Sequence, residues 1–423
     1  MSDAPVPVSL LPDTALVHDG DVSVGGVSLH DLAATYGTPL FVYDEATLRS
    51  RAREAVAGFD DGVAYATKAF LCGAMARLIS EEGLCLDVAT GGELDLALRS
   101  GVPARRIIVH GNNKSPAELE NAVALSVHRL VVDNFDELSY LATLASREHP
   151  IDCLIRVTPG VEAHTHEFVR TGQEDTKFGF SLASGDARRA ISVARELPGV
   201  TLHGLHAHIG SQIFEDLGYR ETMEILAYFT RNDEFDELCI GGGLGVAYVE
   251  GESAPSITQW ANAVRDAARA CGLDSGVRLL AEPGRAVVAQ AALTLYRVGA
   301  VKPVEARVYM AVDGGMSDNP RPVLYGSGYE AFDVSAPLAT RPQRVRLVGK
   351  HCESGDVLID EADLPASTGV GSLIATPVTG AYGYSMASNY NRVPRPPVIF
   401  VADGRAREVL RRESFDDLAR LEV

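Results

Sequence analysis

A chain of 423 residues is longer than one ordinary hydrophobic core accommodates, so two domains are expected. Its 46% apolar and 22% charged residues are those of a globular protein in water, and a formal charge of −19 argues against non-specific nucleic-acid binding, which needs clustered Lys and Arg. The apolar runs fall far short of the ~20 residues that cross a bilayer, and positions 1–12 lack the basic start and cleavage pattern of a signal peptide, so a cytoplasmic protein with no membrane partner is expected.

In chain order, residues 15–27 read as strand-like. From about residue 60 to 285, short apolar runs alternate with polar turns and stretches of helical period. The runs are 63–67, 84–89, 107–110, 130–133, 153–157, 202–208, 238–240 and 278–281. Short continuous apolar strands separated by helices imply a parallel sheet covered on both faces, and eight such units predict a (β/α)8 barrel of the TIM type. Ser115-Pro-Ala-Glu118 marks a helix start with a cap, a first-turn proline and a capping-box glutamate. The stretch 164–180 between the fifth and sixth runs reads as an insertion at the barrel mouth. After residue 290 the rhythm changes: 293–298, 307–312, 344–348, 356–359, 373–378 and 398–401 read as strands divided by Pro and Gly turns, and helical period returns only at 415–421. The expected division is a barrel over 36–288 and a mostly β domain over 289–423 that takes in 1–35.

The six cysteines lie singly, without a Cys-x-x-Cys pair, so neither a disulfide framework nor a zinc ribbon is expected. Five sit within or beside apolar segments as small core residues; Cys352 does not. His164-Thr-His166 has a spacing compatible with a metal but no third ligand in sight, and no metal is expected.

Reactive groups of such a barrel lie at the C-terminal ends of its strands. The residues ending the runs are Lys68, Asp87, His110, Asp133, Arg156, His208, Gly241–Gly243 and Glu282. A lysine there suits Schiff-base chemistry if its surroundings are partly dry. Gly241-Gly-Gly-Leu-Gly245 follows the seventh run, where barrels often bind phosphate. His208-Ile-Gly-Ser211 offers a flat ring and a hydroxyl, and Glu282-Pro-Gly-Arg285 a carboxylate able to face a pyridine nitrogen. Singly, each has a plain structural explanation.

Together, Tyr65-Ala-Thr-Lys68, His208-Ile-Gly-Ser211, the glycine run and Glu282-Pro-Gly-Arg285 resemble the alanine-racemase-fold (fold type III) decarboxylases that use pyridoxal 5'-phosphate (PLP). Asp313-Gly-Gly315, Arg321-Pro-Val-Leu-Tyr325, Cys352-Glu-Ser-Gly-Asp356 and Gly380-Ala-Tyr-Gly-Tyr384 narrow the resemblance to the diaminopimelate decarboxylases over nearly the whole chain. The resemblance implies Lys68 as the cofactor-bearing lysine, His208 stacked on the ring and Glu282 on its nitrogen. It implies phosphate contacts from Gly241, Gly242, Gly243, Ser211, Gly284 and Arg285, with Tyr382 nearby, and places Asp87 and Arg156 around the lysine and the phenolic oxygen. Cys352, reaching in from the partner of a homodimer, would reprotonate the α-carbon. Arg285, Arg321, Tyr325 and Tyr382 would meet the substrate and its distal carboxylate, and Glu353 its distal ammonium. Phe70 stands where many relatives have asparagine. Decarboxylases of ornithine, lysine or carboxynorspermidine with the same fold, and a non-catalytic PLP-binding protein, are the rival readings.

Overall fold

The computed structural model describes residues 6–146, 150–161, 176–231, 233–273 and 276–423, and the chain divides into two compact units. The first, residues 51–245 and 254–286, is the expected barrel. Its parallel strands are β1 (Ala64–Ala66), β2 (Cys85–Val88), β3 (Ile107–Val109), β4 (Arg129–Val132), β5 (Ile151–Thr158), β6 (Val200–His206), β7 (Glu237–Cys239) and β8 (Arg278–Leu280). They pair in sequence order, and a parallel bridge between Val63 and Ala281 joins the last to the first. Because side chains alternate along a strand, Ala64, Cys85, Ile108, Val131, Leu154, Cys239 and Leu280 meet in one buried cluster. Seven of eight strands contributing one residue each is the filled interior of a small barrel, not a pore. At the opposite end from the chemistry, Arg129 forks onto Glu237 through bonds of 2.9 and 2.7 Å, tying the start of β4 to that of β7.

The helix begun by Ser115 forms as expected, over Pro116–Ala124 with a complete capping box; Ser256 and Gln259 build a second one at Ile257–Ala270. Of the insertion expected at 164–180, residues 164–175 lie outside the described ones, the His164-Thr-His166 pair included. Its described end returns to the rim: Phe180 and Ser181 add a short parallel pairing to β5.

The second unit comprises residues 1–50, 246–253 and 287–423. Its sheet runs in the order Val357–Leu364, Gln343–Val348, Arg307–Val312, Ala292–Val304, Leu40–Asp44, Val398–Ala402, Arg405–Leu410. Ala292–Val304 is the spine, long enough to pair with Leu40–Asp44, Leu373–Pro377 and Arg307–Val312. The strand-like 15–27 segment forms a three-stranded sheet of its own, which with helix Leu29–Tyr36 buries Val22, Val24, Leu29 and Leu32 against Leu40, Val42, Leu293, Leu295, Ile399 and Val401.

Two stretches assigned to the barrel by sequence lie in this unit instead. Leu40–Asp44, inside the expected 36–288 span, is a central strand of the second sheet, and residues 246–253 group with it as well. Leu-Phe-Val-Tyr-Asp is a fully buried run with the rhythm of a barrel strand, and its partners at 292–295 and 398–401 are some 250 to 350 residues away, so period alone does not separate the two. No helix among the described residues is long and apolar enough to cross a membrane.

Candidate active site

The strand ends place the expected residues on one rim. Lys68 sits in a 3-10 turn, Thr67–Ala69, directly after β1. Thr67 donates to the Asp87 carbonyl at the end of β2 (2.7 Å), and the Tyr65 hydroxyl donates to the Phe70 carbonyl (2.8 Å), so the turn is pinned on both sides. The Lys68 side chain itself is exposed, whereas a partly dry setting was expected; its flanking residues Thr67 and Ala69 are buried. Asp87, His110, Asp133, Arg156 and Glu282 are buried. Arg156 lies 3.8 Å from Asp133 and 4.3 Å from the Phe178 ring centroid, while Asp133 also accepts from the Gly179 backbone (3.1 Å). The described end of the insertion is thereby anchored to the rim.

Glu282 is the electrostatic centre. His206 Nε2 is 2.9 Å from Glu282 Oε2 in a hydrogen bond, and a carboxylate only accepts, so Nε2 carries the proton. His110 Nε2 is 2.9 Å from Oε1 but off the hydrogen-bond line, and 3.5 Å from Asp87. Burial by itself raises a carboxyl group's pKa; here His110 and His206 outweigh it and hold Glu282 well below the usual carboxylate range. Burial disfavours a charged His110, yet Asp87 and Glu282 together raise its pKa. Burial lowers His206 to about 4 against the pull of Glu282, and pushes Asp87 up to about 6 against that of His110. The site therefore holds a buried carboxylate whose Oε1 accepts no directed bond among the described residues. A buried, ionised carboxylate is the kind of partner that suits a protonated ring nitrogen.

His208 is half-buried, with its Nδ1 accepting from the Gly242 backbone (3.1 Å). Burial, then Lys68 and Arg156, drive its pKa well down, so the ring is a neutral flat face. Around it three turns interlock: Glu282 N donates to Gly241 O (2.8 Å), Ile213 N to Gly243 O (3.0 Å), and Arg285 Nη2 to Ser211 Oγ (2.9 Å). Gly241 (φ 67°) and Gly243 (φ 101°) are in the left-handed region, and a Cβ on Gly242 would lie 2.2 Å from Glu282 O. Not every freed N–H faces outward, since Gly241 donates to Cys239 Sγ (3.4 Å) and Gly242 to His208. The cradle fits a phosphate through Gly243, Ser211, Gly284 and Arg285, and uses Gly242 to set the His208 ring. Gly242→Ala should therefore destabilise the chain by about 1–3 kcal/mol, as overpacking does, and weaken PLP retention. Denaturant melts and PLP titration check this; wild-type values in both would show that the loop yields.

The second unit carries the remaining expected residues. Arg321 and Tyr325 lie four apart in one short helix, Arg321–Tyr325, whose proline sits in the first turn and so does not prevent a shared face. Arg321 is buried, donating to Tyr329 Oη (2.5 Å) and Ser327 Oγ (3.1 Å), with the Tyr248 ring 4.1 Å away. Its Nε has no partner among the described residues. Tyr382 is half-buried with φ 60°. Cys352 and Glu353 are exposed in the 351–356 turn, which buried Asp356 ties down by accepting from His351 N (2.8 Å) and Met316 N (2.7 Å). Cys72, Cys85, Cys153 and Cys239 are buried as expected, and Cys271 is half-buried.

Three contributors escaped the sequence reading. His206 lies inside the 202–208 run, where a period of two puts it on the same side as His208 but no motif marks it. Tyr248 and Tyr329, which hold Arg321, carry no motif. His110, His206 and Glu282 also place possible ligand atoms within 4.8 Å of one another, a spacing that would suit a metal ion; His206 Nε2 is instead directed at Glu282 Oε2 in a hydrogen bond, which makes that nitrogen a donor and not a ligand.

Comparison with known proteins supplies the class. The model of the pyridoxal-dependent decarboxylase, pyridoxal binding domain, matches residues 45–289, and the chain belongs to these PLP-dependent enzymes. Within them it belongs to the diaminopimelate decarboxylase family. It is 46% identical over 426 residues to the diaminopimelate decarboxylase of Mycobacterium tuberculosis, covering 96% of this chain and 95% of that one. It is 45% identical over 423 residues to that of Bacillus subtilis, with 96% and 95% covered. The crystal structure of diaminopimelate decarboxylase from M. jannaschii in complex with L-lysine matches with a TM-score of 0.90 at 29% identity, over 97% of this chain and 98% of that one.

Proposed function

We infer that this chain decarboxylates meso-2,6-diaminopimelate to L-lysine and CO2, the last step of lysine biosynthesis, with Lys68 as the cofactor-bearing residue. The observation that carries the reading is Glu282, a buried carboxylate held ionised on the same rim as Lys68. Bound there, PLP supplies an electron sink for the pair left when the α-carboxylate departs. Glu282 keeps a proton on the ring nitrogen, and His208 covers one face of the ring. Asp87 and Arg156 border Lys68 and the phenolic oxygen. Ser211, Gly243, Gly284 and Arg285 would hold the phosphate, with Gly241 and Gly242 shaping the loop and Tyr382 beside it.

Arg285, Arg321 and Tyr325 receive the distal carboxylate, and Glu353 the distal ammonium. The fixed guanidinium of Arg321, with one N–H unmatched, supports this. Ornithine and lysine lack that distal carboxylate, which favours diaminopimelate over the rival substrates. Cys352 supplies the proton to the α-carbon from the partner subunit of a homodimer in the cytoplasm; its exposed position in a well-anchored turn supports a role outside its own core.

Equal amounts of CO2 and L-lysine from meso-diaminopimelate test the reaction. The shared site has its own test. Lys68→Ala and Cys352→Ala proteins, each nearly inactive alone, should regain activity when mixed and reassembled, because heterodimers contain one intact site. No recovery would place both residues in one subunit's site.

A further inference from the structure

The arrangement around Glu282 goes further than a carboxylate facing a ring nitrogen. Each oxygen has its own imidazole at 2.9 Å, but the two imidazoles differ. His206 lies at the end of β6, is 1% exposed, and donates a directed hydrogen bond to Oε2; its Nδ1 is buried with no partner among the described residues. A proton on that Nδ1 would be a buried N–H without an acceptor, so His206 is a neutral donor. His110, following β3, has carboxylates on two sides, Glu282 at 2.9 Å and Asp87 at 3.5 Å. Two buried acids sharing one imidazole are compensated best by an imidazolium. The rings meet edge to face with centroids 5.0 Å apart, so neither can turn without displacing the other.

We propose that His110 and His206 are positioning residues for Glu282, a cationic His110 fixing its charge and a neutral His206 fixing its rotation, so that the carboxylate is held ionised and in one orientation for the cofactor's ring nitrogen. This rests on the reading that Glu282 faces that nitrogen. A directed hydrogen bond goes to Oε2 alone, while His110 acts on Oε1 from off the bonding line. The carboxylate thus keeps both its charge and one orientation. The other titratable or charged groups acting on this cluster are Asp87, Arg156, Lys68 and Cys239; the Cys239 thiol lies against the Glu282 carboxylate and is kept neutral by burial and by that charge, and Asp87 faces His110 at 3.5 Å. Neither histidine touches the reacting atoms in this scheme. Both act through Glu282.

The test combines two measurements. In apoenzyme carrying 15N-histidine, His206 should show a protonated Nε2 and a bare Nδ1 at pH 7, and His110 should be an imidazolium that loses its extra proton in Glu282→Gln. In holoenzyme loaded with PLP labelled at the ring nitrogen, wild type should show a protonated nitrogen and Glu282→Gln should not. His206→Phe and His110→Phe should each shift that signal towards the unprotonated form. They should lower kcat about 10- to 100-fold, as loss of one charge-assisted contact does, with KM within about twofold. His206→Gln, which restores a neutral N–H donor, should recover much of kcat; His110→Gln, which restores no charge, should not. A wild-type ring-nitrogen signal in both phenylalanine variants, beside a changed one in Glu282→Gln, would overturn the positioning role and leave the Glu282 reading standing. An unchanged signal in Glu282→Gln would overturn that reading and this proposal with it. A neutral His110 in wild-type apoenzyme at pH 7 would overturn the proposal without any variant.

Discussion

Lys68→Ala protein should lose decarboxylation by about 10³-fold or more, the scale on which removal of a covalent catalytic group acts, and should lack the visible absorbance of a lysine-bound cofactor. The fold should survive the change. The side chain is exposed, and the turn that presents it is held by Thr67 and Tyr65 rather than by the lysine. Lys114 offers no replacement, because its ammonium is committed to Gly111 O, Val131 O and Glu137 at 2.7–2.8 Å. Thermal melts should therefore match wild type while the absorbance is gone. Retained absorbance or turnover would remove Lys68 from the cofactor.

Much of this was legible in the sequence for a specific reason. Barrel strands are buried on both faces, so they read as uninterrupted apolar runs, and the residue ending each run falls on the catalytic rim. That rule singles out Lys68, Asp87, Arg156 and Glu282, which lie together on one rim of the barrel. The same rule mislaid Leu40–Asp44, an equally apolar run whose partners are distant in sequence. It also concealed His206, because a run ended at His208 draws attention to its last residue and not to the one two positions earlier. The aromatic support of Arg321 by Tyr248 and Tyr329 depends on contacts between separate segments and has no local signature. Motif resemblance, by contrast, reached Cys352 and Glu353, which no periodicity singles out. The structure adds how that turn is held, through the buried carboxylate of Asp356.

Glu282→Ala should lower kcat by about 10²- to 10³-fold, comparable to removing one preorganised electrostatic group from an active site. The effect should fall on kcat more than on PLP binding, because the Arg285–Ser211 hydrogen bond of the proposed phosphate cradle does not use the Glu282 side chain. The substitution should also cost about 1–3 kcal/mol of apoenzyme stability, since the buried His206 N–H loses its acceptor. With Glu282 gone, the largest influences on His110 are burial, which favours the neutral form, and Asp87, which favours the charged one; the pKa of His110 should move down. Steady-state kinetics, PLP titration and denaturant melts separate these effects. A kcat within a few-fold of wild type would mean that the ring nitrogen does not depend on this carboxylate.

The barrel and its rim perform decarboxylation on an amino acid bearing a second ammonium and carboxylate. CO2 release measured side by side from meso-, LL- and DD-diaminopimelate, L-lysine and L-ornithine, with and without added PLP, tests it most directly. The predicted result is PLP-dependent release from meso-diaminopimelate, with L-lysine formed in equal amount, and little or none from lysine or ornithine. Release from lysine or ornithine but not from meso-diaminopimelate would contradict it.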